Sequence, residues 1–151
     1  MGTDIHFIVQ AKQEDVWETI LPPTLDWHNE YDRKYKQWCS DRNYEAFAIL
    51  ANVRNRIDLI PIIPERRGLP DGITEDSEIC WLGDHSHHWI TLRELIDYPY
   101  WDKEAKSYGE IFSYSILFGR YYTHFLPELV NWANNNNIEF NNIRIVMGFD
   151  S

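Results

Sequence analysis

Cysteine is scarce in this chain: Cys39 and Cys80 are the two in 151 residues. No CxxC spacing joins them, which argues against a disulfide framework or a cysteine-type zinc site and makes a reduced, cytoplasmic setting the default expectation. Basic residues are short as well. Fourteen Lys and Arg stand against 24 Asp and Glu, giving a formal net charge of −10 and a pI near 4.9. A protein that coats duplex nucleic acid draws its affinity from many cationic contacts to phosphates, so that class is set aside. A small phosphorylated ligand is not, because a local basic patch can oppose the global sign. No apolar run approaches a membrane span or a signal-peptide core, and His6 stands where myristoylation after Gly2 needs Ser or Thr. No P-loop, GxGxxG or HExxH pattern occurs, so a standard ATP, dinucleotide or zinc-protease site is not expected.

What is present reads as one globular domain over residues 1–151. Apolar content is 44% and charged content 25%, both ordinary for a folded chain. Ile5, Phe7 and Val9 alternate with Asp4, His6 and Ile8, the period of a strand with one buried face. Val16 to Leu21 is placed to pair with it across Lys12 to Asp15. Residues 24–40 are polar and aromatic without clean periodicity and read as a surface excursion. Tyr44, Phe47, Ala48 and Ala51 fall at helical spacing, predicting a helix over 43–56 with Arg42 before it and Arg54 closing it. Residues 59–63 read as an edge strand or a pinned loop. Residues 98–122 are ambiguous between helix and strand. Pro127 suits the first turn of a helix to about Asn134, and residues 143–150 alternate again. The prediction is an α+β fold: a small antiparallel or mixed sheet containing both terminal strands, with helices mainly on one face.

The stretch from Glu65 to Leu95 concentrates the chemistry. Pro64, Gly68, Pro70 and Gly72 predict an ordered, non-helical loop. Thr74 is placed to cap a short helix carrying Ile79, Cys80 and Leu82 and ending at Gly83. Thr91-Leu92-Arg93-Glu94 has the capping-box pattern, so another helix starts at Leu92. His85, Ser86, His87, His88 and Trp89 then lie on an extended connector between two capped helices, where functional groups are often placed.

Asp4-Ile5-His6, Arg42-Asn43-Tyr44 leading into FAILANVRN, Arg67-Gly68-Leu69-Pro70, the run His85 to Leu95, and Arg144 to Asp150 form five ordered blocks. Together they resemble a family of small, largely uncharacterised proteins of bacteriophage and prophage origin. The resemblance spans nearly the whole chain. It implies a protein working in a bacterial host cytosol, in a setting where accessory proteins often counter host defences, and it carries no established activity.

Five of the nine arginines (Arg42, Arg54, Arg56, Arg66, Arg67) lie between positions 42 and 67. Guanidinium forks match phosphate oxygens, so Arg42, Arg54, Arg66 and Arg67 are the candidate clamp for a phosphorylated ligand, with the Gly68 backbone close by. The competing reading pairs them with the protein's own carboxylates, tying the 65–72 loop to the helix from 43. His85, Ser86 and His87 would add directional hydrogen bonds, and Trp89 or Tyr44 a stacking face. His85 and His87 are two apart and should point the same way in an extended segment. With His6, Asp4 or Asp150 they could hold a divalent Zn, Mn or Ni ion, although no cofactor is favoured. Trp27, Tyr31, Tyr35 and Trp38 could stack a base, or form core and interface. His6 with Asp150 is a candidate acid–base pair.

The first expectation is a binding protein that sequesters a small phosphorylated, nucleotide-derived ligand. The second is a metal-dependent phosphoester hydrolase using His85, His87 and an acid such as Asp4, Asp84 or Asp150. The third is an acidic inhibitor of another protein, docking through the aromatics of 27–38. No catalytic residue is assigned, and assembly into a homo-oligomer is left open.

Overall fold

The alternation of Ile5, Phe7 and Val9 produces strand β1 (Asp4–Gln13), and that of Ile143, Ile145, Met147 and Phe149 produces the last strand, described below. The computed structural model describes residues 2–73 and 82–151. β1 turns back into β2 (Val16–Ile20) through Glu14 and Asp15, both left-handed at φ 51° and 65°. A two-residue loop with two positive φ values matches the strand twist, which fixes the register Gln13↔Val16.

Two helices follow: α1 (Glu30–Tyr35), capped by Asn29, and α2 (Tyr44–Ala51), capped by Asn43. Next come β3 (His85–Thr91), α3 (Leu92–Asp97), and the hairpin β4 (Glu104–Ser107) and β5 (Glu110–Ser113). α4 (Tyr114–Leu117), a π turn (Tyr121–Phe125), α5 (Leu126–Asn135) and β6 (Ile143–Asp150) close the chain.

Among the described residues the main sheet has the order β2-β1-β6-β3, antiparallel throughout, and β4-β5 forms a separate ribbon. The two terminal strands are its central pair, in register from Asp4↔Asp150 to Ala11↔Ile143. The fold is α+β, as the sequence pattern predicts.

One face carries Ile5, Phe7, Val9, Ile145, Met147 and Phe149, covered by α2, the aromatic run Tyr114–Phe125 and α5. Phe7 meets Phe125 edge-on at 5.2 Å between ring centroids, and Phe47 meets Phe149 likewise at 5.3 Å. The other face buries a smaller cluster of Ile8, Val146, Leu82 and Ile73, with Leu69 and Trp89 against it. Here the backbone passes very close. A Cβ on Gly148 would lie 1.7 Å from the Leu82 carbonyl oxygen, so only glycine fits.

Three expectations need correction. The helix over 43–56 stops at Ala51, because Asn52 turns left-handed (φ 56°) and its N–H closes onto Ala48 and Phe47 carbonyls; Arg54 therefore leaves from a turn. Residues 24–40 are not a surface excursion: His28, Asp32, Trp38 and Cys39 are buried, and the Trp38 indole donates to the Ile20 carbonyl. The histidine connector is a sheet strand, and its bulge at Ser86 (φ 58°) destroys the shared direction expected of His85 and His87. Residues 98–122, ambiguous in sequence, hold a hairpin and then helical turns. The helix expected from Thr74 lies outside the described residues, except that Leu82 packs as non-helical chain and Gly83 has the left-handed φ of 81° expected of a terminator. The capping box of Thr91 and Glu94 is formed in full.

His88 is fully buried on β3; its Nδ1 accepts the Arg67 N–H at 2.9 Å. Burial first, then the charges of Arg67 and Arg66, pull its pKa down to about 4, against a smaller opposite pull from Glu94. Two predictions follow from this packing. In the unfolded chain His88 takes up a proton near pH 6.5 and in the folded chain only near 4. Its contribution is thus complete above pH 6.5 and is lost as pH falls to 4, a change of about 3 kcal/mol. Urea titrations between pH 7 and 4 should show that loss, and His88→Gln should flatten most of it; an unchanged slope in the variant would assign the effect elsewhere. Gly148→Ala should lower the urea midpoint by an amount worth about 1–3 kcal/mol or more, since a backbone carbonyl must move.

Candidate functional site

Because β1 and β6 pair to their outer ends, the polar residues at those ends are brought together. Asp4 lies opposite Asp150, and the His6 Nε2 meets Asp150 Oδ2 at 2.6 Å, both side chains being mostly buried. Arg42, one residue before the α2 cap, forks onto Asp4 through Nε and an Nη at 2.9 and 3.0 Å. The Tyr44 hydroxyl accepts the Thr3 N–H, and the Arg54 Nε donates to the Thr3 hydroxyl at 2.8 Å.

Asp4, Ile5 and His6 form one wall of a pocket of about 310 Å³; Asn29, Tyr31 and Ser40 form the other. The far wall is held by Asp32, which is 1% exposed and accepts the Ser40 hydroxyl at 2.5 Å. Burial raises the Asp32 carboxyl, while the Ser40 hydroxyl and nearby His28 pull it back. Asn29 and Ser40 also border a second, wider groove of about 740 Å³, which runs past Arg42 and Tyr44 to Arg56, Tyr108 and Arg120. Pocket and groove thus adjoin at Asn29 and Ser40.

The groove carries three guanidiniums in a protein of net charge −10. Arg42 is committed to Asp4. Arg56 and Arg120 approach Glu45 and Asp41 at 3.6 and 3.8 Å, longer than hydrogen bonds, and Arg120 spends one Nη on the Trp27 carbonyl at 3.5 Å, which leaves other donors on both for an anion. Tyr108, at the hairpin tip, is 86% exposed, and the Arg56 guanidinium lies 5.9 Å from its ring centre.

The expected clamp is divided. Arg42 and Arg54 reach the paired strand ends. Arg66 donates to the Ala51 carbonyl at the end of α2, which ties the 65–72 loop to that helix through backbone and not through a carboxylate. Arg67 lies over Trp89, 4.4 Å from the ring centre, and forks onto Glu94 at 2.8 and 2.6 Å. Glu94 follows the end of β3 opposite Arg144, whereas Asp4 sits at the Asp150 end of the sheet, so Arg67 and Arg42 do not converge. Burial raises the Glu94 carboxyl, and the Arg67 fork with Thr91 overrides this to hold it below the usual range. The Gly68 N–H donates to the His87 carbonyl.

The histidines are likewise dispersed. His85 reaches Ser86 and Ser151 hydroxyls, while the His87 Nε2 meets the Gly83 carbonyl at 3.1 Å. Among the described residues no group of three His, Cys, Asp or Glu converges as a metal site. Of the aromatics, Tyr31 lines the pocket and packs on Tyr35, Trp38 is core, and Trp27 stacks on His28 and donates to Glu128. Arg56, Arg120, Asn29, Ser40 and Tyr108 line the pocket or the groove and were not among the candidates from sequence. Arg120 lay in the ambiguous stretch, and Asn29 and Ser40 in the supposed excursion.

No family model matches this chain, and no curated protein or solved structure matches it either.

Arg67→Ala should cost about 1–2 kcal/mol in chemical denaturation, since it removes a bidentate pair and a cation–aromatic contact. Affinity for a ligand of the pocket should be unchanged. A large loss of affinity with unchanged stability would return Arg67 to the site.

Proposed function

We propose that this protein binds a small phosphorylated ligand of nucleotide type and holds it intact. The nucleoside portion would occupy the pocket between β1 and Asn29-Tyr31-Ser40, and the phosphate the groove beside Arg42, Arg56 and Arg120. The observation that carries the reading is a half-open pocket adjoining, at Asn29 and Ser40, a groove in which Arg56 and Arg120 lie 3.6 and 3.8 Å from their carboxylates and keep donors to spare. Pocket and groove volumes fall within the roughly 300–1,000 Å³ of small-molecule sites. Arg56 and Arg120 beside one anion would give charge-assisted, directional contacts, with Arg42 adding its charge from its fork on Asp4. A role in countering host defences by sequestering a nucleotide signal fits this chemistry and the phage-type resemblance.

A hydrolytic reading is favoured by one observation, the His6–Asp150 contact at the pocket wall. Asp150 would orient the imidazole, and His6 would take a proton from attacking water.

Thermal-shift and calorimetric titration against nucleoside mono-, di- and triphosphates and cyclic nucleotides separates these readings. Binding of one class should raise Tm, since a ligand of the folded state alone stabilises it by RT ln(1 + [L]/Kd). The ligand should be recovered unchanged from the complex. Arg56→Ala with Arg120→Ala should weaken it by about tenfold or more while leaving the denaturation midpoint nearly in place. Product accumulating, and ceasing with His6→Gln, would select the hydrolase; wild-type affinity in the double arginine variant would remove the groove from the site.

A further inference from the structure

The pocket wall formed by β1 is a strand edge. β1 has ten residues, and β2 pairs with Val9 to Gln13 alone. The direction of each backbone group is fixed by register. The Asp84 N–H donates to the Phe149 carbonyl, so odd-numbered residues of β6 present their backbone to β3 and even-numbered ones to β1. Opposite residues of an antiparallel pair exchange hydrogen bonds only at alternate positions. With His6 opposite Gly148 and Ile8 opposite Val146, the even residues of β1 face β6 and the odd ones face away. The hairpin agrees, since a two-residue turn makes Gln13↔Val16 a bonded pair and hence Val9↔Ile20 the last one. The Thr3 N–H, odd and outward, goes to the Tyr44 hydroxyl.

Beyond Ile20, where the Trp38 indole closes the ladder, the outward groups nearest the pocket are the N–H and C=O of Ile5. Neither has a hydrogen bond on that side among the described residues. The Ile5 side chain is turned into the core, so what the pocket meets at this position is backbone.

Building on the nucleotide reading above, we infer that this pocket recognises a nucleobase by its hydrogen-bonding edge, through the Ile5 N–H and C=O. A strand edge offers a donor and an acceptor side by side. Each nucleobase carries a complementary acceptor and donor on adjacent ring atoms, whereas a phosphate offers acceptors alone. The Asn29 and Ser40 side chains add polar groups from the opposite wall, and Tyr31 provides a face for the ring. At about 310 Å³ the pocket is of a size for a base and its sugar. The arginine groove next to it lies where the phosphate of such a ligand would emerge.

The test labels the full chain with 15N and titrates it with the four nucleoside 5′-monophosphates, the four nucleosides, ribose 5-phosphate and inorganic phosphate. A nucleotide and its nucleoside should both shift the Ile5 amide and slow its hydrogen exchange, and ribose 5-phosphate should not. A semisynthetic chain with an ester in place of the Asp4–Ile5 amide loses the one N–H and keeps every side chain. It should bind that nucleotide about tenfold more weakly and ribose 5-phosphate unchanged. If the ester chain does not fold, the amide shifts of the unaltered chain decide. Equal affinity for ribose 5-phosphate and nucleotide, or a saturating nucleotide that leaves the Ile5 amide unmoved, overturns the base-edge inference and spares the phosphate reading. Nucleosides that bind as tightly as their phosphates do the reverse. A short extended peptide that alone shifts Ile5 would assign the edge to a peptide, and binding by none of these overturns both readings.

Discussion

Antiparallel pairing of the first and last strands is the constraint on which the rest of this structure depends. It closes the chain on itself and makes β1 and β6 the two central strands, with seven of β6's eight residues buried. One-residue slippage would turn Phe7, Met147 and Phe149 out of the core, so the register is held by burial on both faces. Gly148 tightens it further, because the close approach of the Leu82 carbonyl permits no side chain there. The same pairing lines up Asp4, His6 and Asp150 without any local motif.

The unequal lengths of the strands have a second effect. β2 stops at Ile20, and the 36–43 segment takes over beside β1, anchored by the Trp38 indole and by Ser40 on Asp32. A buried carboxylate with one oxygen lacking a partner among the described residues is costly unless it holds something in place. Here it fixes the wall opposite Ile5. The pocket therefore exists because a strand ladder ends before its partner does.

The arginines divide into tightly and loosely held ones by their partners' geometry. Arg67 and Arg42 are forked onto carboxylates, and Arg66 onto backbone carbonyls. Arg56 and Arg120 sit beyond hydrogen-bond reach of their carboxylates, Arg120 making a long contact with the Trp27 carbonyl at 3.5 Å. Sequence clustering between 42 and 67 pointed to a shared role, yet the chain reverses at Asn52 and again through the proline-rich loop, sending Arg42 and Arg67 toward opposite ends of the sheet. The histidines show the same limit: a period of two predicts a shared direction only if no bulge intervenes, and Ser86 supplies one.

The sequence by itself determined what local periodicity and capping chemistry can encode: the two alternating terminal strands, the helix cap at Thr91, the proline start of α5, and hence the α+β class. The boundary of α2 escaped because Asn52 in the left-handed conformation is permitted but not compelled by its type. The 98–122 segment escaped because aromatics suit a strand and a helix equally, and contacts among Trp101, Phe118 and Tyr121 settled the matter. The site was legible only where two local patterns met, as with Asp4, His6 and Asp150 on paired strands. Asn29, Ser40 and Arg120 carry no signal of their own. Tertiary structure alone placed them, since contacts between residues far apart in the chain depend on packing and register, which no short window of sequence contains.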